Sequence, residues 1–164
     1  MDSQSVLEEL DFGCYESNID DEGAVALATL ISKHLSTVVC LDISKCCLIT
    51  TNGIRAFASA LVPGSTSRLK RMYLGDWSIG DESHTINDDV IIDFASAIRG
   101  NTTLQELSFG EGICDASSIA LCALAKVVCD ASSLMSVCTS NHTLLDFDCN
   151  CEYPDECRIY PWLS

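Results

Sequence analysis

The chain is short of basic charge. Nine lysines and arginines stand against 24 acidic side chains, a formal net charge of −15 at pH 7. Such a surface repels nucleic acid phosphates and anionic lipid headgroups, so it speaks against both as partners and for a basic protein. Nowhere does the sequence offer a run of about 18 apolar residues, which a membrane-crossing helix requires. Its opening residues, MDSQSVLEEL, hold neither the basic region nor the apolar stretch of a secretory signal. An intracellular, cytoplasmic protein is therefore expected.

Catalytic signatures are missing as well. There is no GxSxG, no HExxH, no GxxxxGK[ST] phosphate loop and no GxGxxG fingerprint. The three histidines, His34, His84 and His142, are scattered along the chain. Acid-base chemistry needs convergent groups in a pocket, so no enzyme and no cofactor are expected.

What is present suits a packed protein: 48% of the 164 residues are hydrophobic and 20% charged. A chain of this length buries roughly 70% of its unfolded surface without a metal or disulfide staple. A single domain spanning 1–164, monomeric, is the expectation. The eleven cysteines are an odd number in a chain without a secretory signal, and they read as reduced, small apolar residues. Cys149, Cys151 and Cys157 with His142 supply the donors of a Cys3His zinc set. Their CxC spacing is tighter than the usual CxxC, and Cys149 serves the repeat described next, so no metal is assigned.

One template, LxxLxL, recurs along the chain. It is filled by Leu7/Leu10/Phe12, Val38/Leu41/Ile43, Leu69/Met72/Leu74, Leu104/Leu107/Phe109 and Leu144/Phe147/Cys149, with starts spaced by 31, 31, 35 and 40 residues. Alternation within each template predicts a strand of about three to five residues. Apolar positions at helical spacing follow: Gly23, Ala24, Leu27, Ala28 and Ile31, then Gly53, Ile54, Phe57, Ala58 and Leu61, then Val90, Ile91, Phe94, Ala95 and Ile98. A fourth set, Ala120, Leu121, Leu124, Ala125 and Val128, keeps the same offsets, which place five residues on one helical face. Such units bury their faces only by stacking, so an α/β solenoid is predicted, with parallel strands inside and helices outside. Asn101-Thr-Thr-Leu104 and Asn141-His-Thr-Leu144 recur at the return to the strand, where Asn and Thr can bond local backbone. These two NxT sequences also match the glycosylation pattern, but the structural role is preferred.

Segments such as LDISKCCLITTNGIRAFASAL, residues 41–61, resemble ribonuclease-inhibitor-type leucine-rich repeats, the class also found in innate immune receptors and in Ran GTPase-activating protein. The resemblance covers roughly residues 5–149. It implies a right-handed α/β horseshoe segment used for protein binding, with Cys46 at the position where the family places an Asn or Cys bonded to the turn backbone. The other repeats have Tyr15, Trp77, Gly112 and Glu152 there, with Asn18 as an alternative in the first. An expanded turn from Asp76 to Asp89 and about nine extra residues around Cys129–Ser140 depart from the pattern, and the latter predict distorted stacking. Residues 150–164 read as an irregular tail or cap.

In this fold the side chains between template leucines face the concave surface. The first column runs Glu9, Cys40, Arg71, Glu106, Asp146, and the second Asp11, Asp42, Tyr73, Ser108, Asp148. A surface acidic at both ends, with Arg71 and Tyr73 at its centre, suits a basic partner held by an aromatic anchor and ion pairs. The expected binding residues are Glu9, Asp11, Asp42, Arg71, Tyr73, Glu106, Ser108, Asp146 and Asp148. Two other readings stand beside this one: a regulator of a small GTPase, by analogy with Ran GTPase-activating protein, and a fragment of a larger leucine-rich repeat protein.

Overall fold

The computed structural model describes residues 6–75, 86–113, 116–128 and 130–148. Five three-residue strands form one parallel sheet in chain order: β1 (Glu9–Asp11), β2 (Cys40–Asp42), β3 (Arg71–Tyr73), β4 (Glu106–Ser108) and β5 (Asp146–Asp148). The crossovers carry α1 (Asp21–Lys33), α2 (Thr51–Leu61), α3 (Asp88–Ile98), α4 (Ser118–Val128) and the short α5 (Leu134–Thr139). Strands pack about 4.8 Å apart but helices need 8–10 Å. A helix layer stacked on a strand layer therefore fans outward, and the strand face becomes the concave one.

The register agrees with the repeat. Leu10, Leu41, Met72, Leu107 and Phe147 pair in sequence across the sheet. Of these, Leu41, Met72 and Leu107 are fully buried, together with the flanking template residues Val38, Ile43, Leu69, Leu74, Leu104 and Phe109. The inner faces of α2 and α3 close the core from the other side, with Ile54, Phe57, Leu61, Val90, Ile91, Phe94 and Ile98 buried. Phe94 meets Phe109 edge to face, ring centroids 5.2 Å apart, the arrangement favoured by the ring quadrupoles.

Polar groups lock each repeat to the next. Asn101 donates its amide to the Leu61 carbonyl (3.0 Å), and its Oδ1 accepts the Thr103 and Leu104 N–H groups. Asn141 repeats the pattern one unit on, donating to Ile98 (2.8 Å) and accepting from Thr143 and Leu144. Thr66, at the matching place before β3, donates to the Ser32 carbonyl instead. Both asparagines are buried. A second brace joins helix starts. Asp21, at the start of α1, accepts the Thr50 and Gly53 N–H groups and the Thr50 hydroxyl, and Asp88 of α3 accepts the Ser117 N–H. Helix N-termini have free N–H groups and a positive dipole end, which these carboxylates satisfy. Cys46, buried, donates its thiol to the Phe12 carbonyl, as the resemblance implies, whereas Asn18 is exposed in the first turn.

Three expectations change. The extra residues before β5 do not distort the stack: β5 pairs in register with β4, and part of the insertion folds as α5. Helix α4 buries Ala120, Leu124 and Val127 rather than the five expected positions. Leu121, Ala125 and Val128 stay half-buried, since among the described residues α4 packs on α3 along one flank without a comparable helix along the other. In the first repeat Leu7 is exposed, and Leu10, Phe12 and Leu27 are only partly buried. The tail 150–164, most of the long turn (76–85) and the cysteines 149, 151 and 157 lie outside the described residues.

Candidate functional site on the concave strand face

The pleat sends alternate residues of each strand to opposite faces, so the residues flanking the buried central column line the concave side. Register places Glu9, Cys40, Arg71, Glu106 and Asp146 in one row and Asp11, Asp42, Tyr73, Ser108 and Asp148 in the other. Register thus aligns the nine expected residues in two rows that run across five repeats.

Their interactions divide that surface. Arg71 reaches across β2 to Glu9, Nη2 to Oε1 2.7 Å, passing over Cys40. Both ends of this pair stay in solvent, 43% and 65% exposed, so water and salt screen it and it adds little to stability. Tyr73 donates its hydroxyl to Glu106 at 2.8 Å. Burial, then this hydrogen bond and the Glu106 charge, push the Tyr73 phenol up to about 12, so it is a neutral donor at physiological pH. Cys40 is buried beneath them. Its thiol is raised by burial first; Arg71 opposes the rise, while Glu9, Asp42 and Glu106 add to it. A thiol so protonated is no nucleophile.

The second row has a local duty that the sequence reading missed. Asp11 Oδ1 accepts the Gly13 N–H and Asp42 Oδ1 accepts the Ser44 N–H, both at 2.9 Å, while Ser108 Oγ accepts the Gly110 N–H at 3.2 Å. Each side chain closes the turn leaving its strand, the Asx or Ser/Thr turn that short acceptors form two residues ahead. The signal was present in Asp11-Phe-Gly13, Asp42-Ile-Ser44 and Ser108-Phe-Gly110. A Cβ at Gly13 would stand 2.8 Å from Asp42 Oδ1, so a side chain there would have to displace this turn-closing carboxylate. Ser108 is 8% exposed and thus offers a partner little surface. Asp11 and Asp42 therefore hold turns as well as carrying charge; Asp11, Glu9 and Asp146 are exposed, Asp42, Arg71, Tyr73 and Glu106 half-buried, and Ser108 is withdrawn from the face.

Among the described residues, no group of three His, Cys, Asp or Glu is placed to hold a metal ion, and no helix is long and apolar enough to cross a membrane. His34 caps the end of α1, and His142 lies in the turn before β5, its Nε2 3.1 Å from the Val137 carbonyl; His84 is outside the described residues.

Comparison with known proteins places the fold. A family described as Leucine Rich repeat matches residues 34–58, the stretch from the end of α1 through β2 into α2. The solved structure of leiomodin-1 actin-binding site 2 superposes with a TM-score of 0.61 at 17% identity, covering 90% of this chain and 72% of that one. No curated protein matches the sequence. The fold is a leucine-rich repeat solenoid. Solenoids of stacked repeats present an extended concave surface, and the strand face described above occupies that position in this fold.

Proposed function

We propose that this chain is a non-catalytic protein-interaction module of the ribonuclease-inhibitor type, one repeat domain over 1–164, that binds a basic protein through its concave face. One observation carries the reading. Register gathers Glu9, Asp11, Asp42, Glu106, Asp146 and Asp148 on the two concave rows, where Arg71 is the single base. A face of one sign raises the association rate of an oppositely charged partner and disfavours nucleic acid and anionic membranes. Free thiols at Cys14, Cys40, Cys46, Cys47, Cys122 and Cys138 support an intracellular setting, where cysteines stay reduced. No cofactor enters this reading, and the monomer is its working unit.

The GTPase-regulator reading would need an available arginine, and Arg71, the arginine of the strand face, is engaged by Glu9. The leiomodin-1 segment that shares this fold is an actin-binding site, so cosedimentation with filamentous actin tests directly whether that property extends here. For the basic-partner reading, immobilised wild-type chain is compared with Glu9→Gln/Glu106→Gln in capturing proteins at low and physiological salt. These substitutions spare the turn locks Asp11 and Asp42. A basic protein held by the wild type and lost from the double variant supports the proposal; equal capture by both removes it.

A further inference from the structure

The first repeat carries the same apolar columns as its successors, but among the described residues these columns are less covered there. Leu7 is 50% exposed, whereas Val38, Leu69 and Leu104 in the same column are at 0%. Leu10 and Phe12 are only partly buried, whereas their counterparts in the next three repeats are fully so. Among the described residues β1 is also an edge of the sheet. Glu8 and Phe12 hydrogen-bond toward the β2 side. Alternate residues of a parallel strand serve alternate neighbours, so Glu9 and Asp11 turn their backbone N–H and C=O groups to the open side. We propose that this edge is a docking site for an extended basic and apolar segment of a partner protein, which adds a parallel strand beside β1.

Charge decides the occupant. The edge carries Glu8, Glu9 and Asp11, all exposed. A second copy pairing β1 on β1 would set these carboxylates against themselves, and like charges facing each other across strands destabilise the pair. A basic strand meets them favourably, and the sheet already contains an example. β3 lies in the segment Arg68-Leu69-Lys70-Arg71-Met72-Tyr73-Leu74, and its Arg71 reaches two strands over to Glu9. A strand of that composition on the open side of β1 would bring cations to the same carboxylates, cover Leu7, Leu10 and Phe12, and satisfy the free backbone groups by strand addition.

The test uses the full chain and a fluorescent peptide copying residues 66–75, TSRLKRMYLG, read by anisotropy at physiological salt. In the stack, residues matching Met72 and Leu74 face the following strand, as the Leu74 N–H does when it donates to Ser108. Saturable binding is expected. N-methylation of the peptide at its Met72 and Leu74 equivalents should weaken it by about tenfold or more, since two backbone bonds are lost. Methylation at the Arg71 and Tyr73 equivalents, facing away, should change it less than about threefold by the same reasoning. All three peptides keep the same charge, so docking on the acidic concave face would show no such difference. The outcome is thus independent of the concave-face proposal. Absence of saturable binding, equal loss from both methylation patterns, or dimerisation of the chain in sedimentation velocity would overturn the assignment.

Discussion

Asn141 offers the sharpest test of how the repeats are held together. Its amide nitrogen donates to the Ile98 carbonyl at 2.8 Å, and Oδ1 accepts the N–H groups of Thr143 (2.8 Å) and Leu144 (2.9 Å). The residue is 2% exposed, so water cannot replace these partners. Asn141→Ala removes four hydrogen bonds, the fourth donated by the Thr143 hydroxyl at 2.9 Å, and strands one carbonyl and two N–H groups, at about 1 kcal/mol or more each. A loss of about 3 kcal/mol is expected, a large share of the roughly 5–15 kcal/mol total typical of a domain. Urea unfolding followed by circular dichroism at 222 nm reads it. Asn141→Asp separates the two halves of the role: the acceptor survives, but the second carboxylate oxygen faces the Ile98 carbonyl and repels it. Protonation restores a donor, so the folded variant holds its proton more tightly than the unfolded chain. Its folded pKa is raised, and its deficit is therefore large at pH 7 and shrinks as the pH falls through that value. An Ala variant that loses less than about 1 kcal/mol, or an Asp variant as stable as wild type at pH 7, would refute the reasoning.

Gly53→Ala tests the inter-repeat brace. Alanine stabilises an open helical site by about 1 kcal/mol, but a Cβ here would stand 2.5 Å from Asp21 Oδ1 and 2.7 Å from Ile49 Cγ2, so a net loss of about 1–3 kcal/mol in thermal or urea unfolding is expected. The Asp88 carboxyl is held below its ordinary range by hydrogen bonds from Ser117. Its stabilisation is present at neutral pH and is lost as the pH falls below the ordinary carboxylate range through the lowered folded value; Asp88→Asn should therefore flatten the acid limb of a stability-versus-pH curve. Tyr73, raised to about 12, favours folding below the ordinary tyrosine pKa near 10 and ceases to do so as pH rises through the folded value. Comparing wild type with Tyr73→Phe by absorbance at 295 nm should show the missing phenol ionising near 12 and not near 10.

The strand register was legible to the residue because a period of two ties each side chain to one face, and a slip of one would send Leu41 or Met72 into solvent. The faces of α2 and α3 were legible for a related reason: each has a helix on both flanks, so every apolar position finds a neighbour. The same offsets overstated burial in α4 and around β1. Leu121 and Leu7 fit the template, yet the burial of a repeat residue depends on the adjacent repeat, which no local pattern contains. The alignment of the two rows across the sheet follows from the template in the sequence, but the interactions within them do not. Arg71 and Glu9 lie 62 residues apart and meet only because β1 and β3 flank the same strand. Asp11 and Asp42 looked like free charges because carboxylates on a strand face usually are; their turn bonds depend on the local backbone geometry just past each strand.

This internal engagement shapes what the concave face can do. A basic partner does not meet bare carboxylates at the centre: Glu9 is shared with Arg71 and Glu106 with Tyr73. Both acceptors retain capacity, because an ionised carboxylate offers about four lone-pair sites. Binding can therefore add to these contacts without breaking them. Arg71, held over the buried Cys40, also repels a cation that approaches the middle of the face, so the favourable positions for positive charge lie toward the Asp11–Asp42 end and toward Asp146. On the proposed function, an acidic face with a fixed base at its centre would select for the spacing of a partner's charges as well as for their sign: attraction at the ends, with a penalty for a partner whose cation falls between them.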